Sequence, residues 1–486
     1  MPFPFALPTT AHLSFAASLT SSTHPSLPTA ATSSRALVRD TLKRHKRLPA
    51  AQKPGNLSSV LNALNDYIPY LFALDAGLSN GSVCGEEVDV VLIREVESEW
   101  RACLSSRPVG REPQRVKVKS LEGELGFVLG SLGCTYFLLA RAQLRPLYER
   151  AGAPLSEEQR KKAVATAVGY LLQAHAVFNY LLQRASGSAH AAQSESEKAK
   201  GTSHVADITP STYSALASMA LAEATLIAVL KDDPFPAAVA DERNPNNKDW
   251  MFKGVEMPKV RAHLFARLCL AASEHAGRGL AAVRNTKGVD ERLVNYLEDL
   301  KATARAKAMR FFGVDAEAQG KIGEGLAWLK AAKRELGFAE DEGRSRGFSR
   351  LKNSWKERRE DRKVERGDAE WGSDAGRFEE GRVLEMLSTK WSKMNDTVSV
   401  QIVPSFDPLV SNMPSGRECH QPKPYEIPSL EEDVLARMRA PPEPSDLKMY
   451  GDEPDSAEDS DNDALHEPPG AFPGPKADYA SNSAYY

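Results

Sequence analysis

The stretch DITPSTYSALASMALAEATLIAVLK, Asp207 to Lys231, decides the fold class. Thr209 is placed to cap a helix, and Pro210 suits the first helical turn, where a missing N–H is not needed. Tyr213, Leu216, Met219, Leu221, Leu226, Ile227, Val229 and Leu230 follow, and they cover nearly the whole circumference of that helix. Glu223 is the one charge between Pro210 and Lys231. A helix apolar on every side belongs inside a large helical assembly, packed on several neighbours. Glu223 near its centre argues against a membrane span. The stretch therefore predicts a scaffold rather than a catalyst.

The remaining composition agrees. At 486 residues the chain exceeds the usual single-domain size, a limit that helical-repeat arrays escape because each unit contacts only its neighbours. A net charge of −3 gives no general attraction to nucleic acid or anionic membrane. Cys84, Cys103, Cys134, Cys269 and Cys419 form no CxxC pair, and Cys134 and Cys269 read as small buried hydrophobes in a reducing cytosol. The Ser/Thr-rich opening has no arginine before Arg35 and is broken by Pro2, Pro4 and Pro8, so no targeting peptide is expected.

Helical periodicity is expected over 57–78, 122–152, 157–185, 259–284, 289–312, 315–337 and 376–394. Gly126, Gly130 and Gly133 cost helix propensity and so predict close approach of a second helix. Residues 3–20 read as extended, 87–102 as partly strand, and Val398–Val403 as strand. Residues 186–206 and the Pro/Asn-rich 232–258 read as loops. From 416 to 486 the chain is rich in Pro and acids, too poor in apolar residues to order itself. Within it, 429–439 is expected to become helical on meeting a partner.

Catalytic signatures are missing: no GxGxxG, Walker loop, HExxH or GxSxG occurs. The ten histidines are scattered, and Cys419-His420 lies where no rigid shell is expected. No enzyme activity, cofactor or metal is predicted. The run Arg344–Arg366 is interleaved with Glu357, Glu360, Asp361 and Glu365, so it reads as a solvated face. Its rival reading is a lipid- or RNA-binding surface. Leu264 and Leu268 stand four apart and share a helix face, which is either core or a patch for a partner's amphipathic helix.

Four blocks, in order, carry a family likeness: GSLGCTYFLLARAQL, DITPSTYSALASMALAEATLIAVLK, GEGLAWLKAAKREL and NDTVSVQIVP. The chain resembles the Bro domain of ALIX-type ESCRT adaptors over residues 3–415, with 416–486 as a disordered tail. The resemblance implies a mainly α, boomerang-shaped solenoid with tetratricopeptide-like hairpins and a small β-sheet. It also implies that a concave patch docks the C-terminal amphipathic helix of an ESCRT-III filament subunit, here through Ala228, Leu264 and Leu268. Ala228 is smaller than the family's usual residue at its position. The proline-punctuated opening and short tail are similar to the family's fungal ambient-pH signalling members. That likeness implies a non-enzymatic adaptor promoting proteolytic activation of a transcription factor at alkaline pH. The alternative is a general multivesicular-body sorting scaffold. The expected location is cytoplasmic, with recruitment to endosomal or plasma-membrane ESCRT sites, indirect membrane contact, other pH-signalling components as further partners and no nucleic acid. A tail of about 70 residues is too short for the V-shaped domain of longer members, so YPxL recognition is not expected.

Overall fold

The computed structural model describes residues 2–106, 113, 115–147, 156–192, 205–242, 260–338 and 371–441. Its spine is a succession of long helices, each packed on the long helix before it in the chain. They are α1 (Leu27–Arg47), α2 (Lys53–Leu78), α3 (Leu121–Leu144), α4 (Glu157–Ala192) and α5 (Pro210–Leu230). After the short α6 (Phe235–Glu242) come α7 (Ala262–Arg284), α8 (Glu291–Ala318) and α9 (Ile322–Glu335). Then α10 (Arg377–Met394) packs across α6, α8 and α9.

The start of α5 shows why its sequence is written as it is. Thr209 Oγ1 accepts the Thr212 N–H, the expected cap. Asp207 accepts the N–H groups of Cys103 and Leu104 at 2.6 and 3.1 Å, tying the helix start to a distant loop. By length and composition α5 and Leu121–Leu147 could each cross a membrane, but 78% and 72% of their most apolar 18-residue windows are buried within the protein, so they are core helices.

Of the three helix glycines, two behave as expected. A Cβ on Gly126 would lie 2.6 Å from the Tyr213 hydroxyl, and one on Gly133 would lie 2.6 Å from Cζ of the buried Phe178. Gly130 meets nothing within 4 Å, so no close approach explains it. Opposite outcomes are expected: Gly133→Ala should destabilise by about 1–3 kcal/mol through overpacking, while Gly130→Ala should stabilise by about 0.5–1 kcal/mol through helix propensity. Urea denaturation of the two variants checks the pair.

A small antiparallel sheet orders β1 (Thr9–Thr10), β6 (Glu97–Arg101) and β7 (Arg115–Lys119), with Trp100 opposite Thr10 and Val116. Ser98 and Trp100 face the core, while Glu97 on the other face pairs with Lys117 at 2.7 Å. Two-residue pairs join β2 (Leu19–Thr20) to β5 (Val91–Leu92) and β3 (Ser82–Val83) to β4 (Glu86–Glu87). The β3–β4 turn has positive φ at both Cys84 and Gly85, the geometry that suits the twist of a tight hairpin. Under the sheet, Glu124 accepts from Arg35 Nε and Trp100 Nε1, both at 2.7 Å, and from Tyr67, so the buried pair is fully hydrogen-bonded.

Several expectations are corrected. The 186–206 loop is helical as far as Ala192, because α4 continues. The 232–258 loop contains α6. The break between α8 and α9 falls at Gly320, with φ +78°, and not at 313–314; Gly313 instead lets the Gly325 carbonyl approach. Val398–Val403 is not a strand. Asn395–Ser399 forms a π-helical turn, and Val400 is left-handed at φ +45°. The Asn395 amide exchanges two 2.9 Å hydrogen bonds with the Gln401 backbone, and this closed loop outcompetes the β-branched propensity of the run.

The largest correction concerns the tail. Met1–Arg439 is one compact unit, so 416–439 does not belong to a disordered segment. Arg334 pairs with Asp407 at 3.3 Å, Tyr425 packs on Tyr180 of α4 at 5.4 Å, and Leu430, Leu435 and Met438 are buried. A short helix, Glu432–Ala436, is therefore already formed within the chain itself. Its surroundings hold it firmly. Cys84 Sγ donates to the Leu430 carbonyl, Ser26 Oγ to that of Met438, and Arg439 pairs with Glu86. The stretch 405–439 is thus a strap running from α9 back to α1. Arg344–Arg366 and the acidic run 452–463 lie outside the described residues.

Candidate partner-docking groove

The three predicted contact residues lie on α5 and α7, which pack directly on each other. Gly279 of α7 sits against Ala215 and Ser218 of α5, where a Cβ would be 3.1 Å from the Ala215 carbonyl. The helices run antiparallel from that crossing, so the end of α5 bearing Ala228 lies beside the start of α7 bearing Leu264 and Leu268. All three are half-buried. On the inner side of α7, Ala266 and Cys269 are buried and Phe265 meets Phe311 edge-on at 5.5 Å, which fixes the rotation of the helix. Leu264 and Leu268 lie half-buried on the helix stripe that continues through the buried Ala271 and His275.

Charges of both signs flank this patch, with Asp232, Glu274 and Glu418 exposed among the cations. Lys231, Arg261 and Arg417 are exposed, and Arg267 is half-exposed beside Leu268. An apolar patch flanked by charges suits the apolar face of an amphipathic helix. Ala228 offers a small floor, so the two leucines supply most of the apolar surface.

Sequence reasoning missed the chain segment lying next to the patch. Gly416 rests on Ala271, where a Cβ would fall 2.6 Å from the Ala271 nitrogen. The His420 imidazole lies against the Ala224 backbone; burial pushes its pKa down and the nearby backbone group pulls it part of the way back. Cys419-His420 is thus held in place, contrary to the expectation of a loose loop. The signal was Gly416 itself, the one residue that fits against the α7 backbone. Elsewhere His175 Nδ1 is bonded to the Ala217 carbonyl at 2.9 Å, and His263 lies against Phe312. Cys134 and Cys269 are buried as expected, and burial pushes the Cys269 thiol up to about 12. Among the described residues no three His, Cys, Asp or Glu side chains converge as metal ligands would.

A succession of packed helices with a small antiparallel sheet is the architecture of a BRO1-like domain. Residues 38–431 match the BRO1-like domain family, and the chain belongs to that family. It is a homologue of the pH-response regulator protein palC of Emericella nidulans, 45% identical with all of both chains covered. The pH-response regulator protein palC of Cryptococcus neoformans is 27% identical, covering 87% of this chain and 91% of its own. Among solved structures, the ALIX BRO1 CHMP4C complex matches with a TM-score of 0.51 over 88% of this chain and 96% of that one. At 13% identity that likeness shows the fold alone.

Proposed function

We propose that the chain is a non-enzymatic ESCRT-associated adaptor of fungal ambient-pH signalling. It docks the C-terminal amphipathic helix of an ESCRT-III filament subunit on Ala228, Leu264 and Leu268, and through that contact promotes proteolytic activation of the pH-responsive transcription factor at alkaline pH. The observation that carries this reading is the end-to-end 45% identity to a palC pH-response regulator. The half-buried leucines on one stripe of α7 supply apolar surface for an amphipathic helix. The ALIX BRO1 fold has been solved in a complex with CHMP4C, which supports a partner of this kind. Recruitment from the cytoplasm to ESCRT sites on endosomes or the plasma membrane follows from such docking and needs no direct membrane contact.

Leu268→Asp tests the site. It places an unpaired carboxylate against the apolar face of the docked helix, at a cost of at least about 2 kcal/mol or ~30-fold in Kd. Because Leu268 is only half-buried, helicity and the unfolding midpoint should stay near wild type. Pull-down of the ESCRT-III subunit by folded Leu268→Asp at wild-type strength would refute the assignment. A deletion strain tests the pathway: sensitivity to alkaline medium with normal cargo sorting is expected, and defective sorting would point to a general scaffold.

A further inference from the structure

We propose that the strap segment Ser415–His420 is an internal occupant of the α5–α7 furrow, and that a docking helix must lift it before seating fully. The inference rests on the docking reading above. α7 begins at Ala262, two residues before Leu264, so along α7 itself the surface beyond the leucines runs towards Ala271 and His275. Three turns of helix span about 16 Å, whereas Leu264 and Leu268 are one turn apart, so an incoming helix of that length overruns the patch. The surface it overruns is already taken. The Arg417 N–H donates to the Arg267 carbonyl at 3.0 Å, and Arg267 Nε returns a bond to the Ser415 carbonyl at 3.1 Å. The Gly416 N–H reaches Glu274 at 3.3 Å, and Glu418 pairs with His275 at 2.8 Å and with Arg278 at 3.8 Å. On the α5 side, His420 lies against the Ala224 backbone, one turn from Ala228.

The segment is built to open locally. Ser415, Arg417, Glu418 and Cys419 are exposed, and surface hydrogen bonds and ion pairs of this kind hold weakly. Beyond it, buried Leu430, Leu435 and Met438 pin the far end of the strap. The middle can therefore leave α7 while the end stays docked, an opening well below global unfolding in free energy. Arg267 links the two states directly, since the side chain that holds Ser415 also stands on the rim beside Leu268.

Two full-chain variants isolate the effect. Gly416→Leu has no room against the Ala271 backbone, and Glu418→Gln removes the ion pairs with His275 and Arg278. The probe is a fluorescent peptide of the ESCRT-III subunit's C-terminal amphipathic helix, with amide hydrogen exchange reporting whether 413–420 is released. Both variants should bind the peptide about tenfold more tightly, because the closed state no longer competes. In the wild-type chain the peptide should speed exchange over 413–420 and leave 430–438 protected. Wild-type affinity in variants whose exchange proves the segment free, with binding still lost in Leu268→Asp, would sink the strap proposal and leave the docking site standing. No peptide binding by any form would overturn both.

Discussion

Replacing Arg310 by methionine is expected to cost about 3–5 kcal/mol of folding stability, the range for breaking a buried ion pair from one side. Arg310 is fully buried on α8, its Nε 2.6 Å from Glu380 and its Nη2 2.6 Å from Asp233. Lys307 Nζ completes a balanced set of two cations and two anions at 2.8 Å from Glu380. The rings of Phe235 and Phe311 lie 5.0 and 4.2 Å from the guanidinium carbon, which adds cation–π attraction and shuts out water. Burial alone would push the Asp233 carboxyl pKa up, but the charges of Arg310 and Lys307 beside it hold it below the ordinary value. Methionine keeps the volume and removes the charge, leaving two carboxylates to one ammonium in a dry site. Domains are stable by only about 5–15 kcal/mol, so the loss is a large fraction of the total. Lysine should not rescue, since one ammonium cannot bridge both carboxylates. Adding Asp233→Asn to Arg310→Met restores neutrality and should recover about 1–3 kcal/mol. Urea denaturation of the single and double variants reads this directly, and a single-variant loss below about 1 kcal/mol would show that the network is solvated.

That network also explains part of what the sequence could not disclose. It joins residues 233, 307, 310 and 380, and no local pattern announces a partnership across such separations. The strap has the same origin. Its composition is that of a disordered tail, yet Cys84, Ser26 and Glu86, more than 300 residues earlier, hold its end in place. Local signals, by contrast, read true where local physics dominates: the Thr209 cap, the close approach at Gly133, and the shared face of Leu264 and Leu268. RVKVK, 115–119, shows a period-two alternation that should have marked β7. Val398–Val403 misled because two hydrogen bonds from Asn395 outweigh strand propensity. Gly313 misled because a glycine that admits a neighbouring carbonyl looks the same in sequence as one that ends a helix. Ala228 could be placed beside the leucines only through the family resemblance, since no spacing links α5 to α7.

Glu223, the lone charge in α5, should make folding stability fall by about 3 kcal/mol as pH rises from the ordinary carboxyl range to neutrality. It is 1% exposed; burial pushes its pKa up to about 7, against a partial pull downward from the Tyr296 hydroxyl, which donates at 2.5 Å, and from the Phe3 N–H. The unfolded chain releases this proton near 4.5, whereas the folded chain keeps it until about 7. Below the lower value both states are protonated and folding carries no penalty; between the two the penalty grows, and above the upper it is constant. Glu223→Gln keeps an acceptor for Tyr296 and Phe3 and cannot ionise, so it should behave as the acid form at every pH. Urea midpoints from pH 5 to 8.5 should then show the variant gaining on wild type up to about pH 7 and holding a steady lead beyond it. All other ionisable groups are common to both chains and cancel in the difference. Tyr296→Phe removes a donor that favours the ionised carboxylate, so its decline with pH should continue above neutrality. A variant-minus-wild-type difference that stays flat across the range would mean that Glu223 is ionised throughout, with a counter-charge or water beside it.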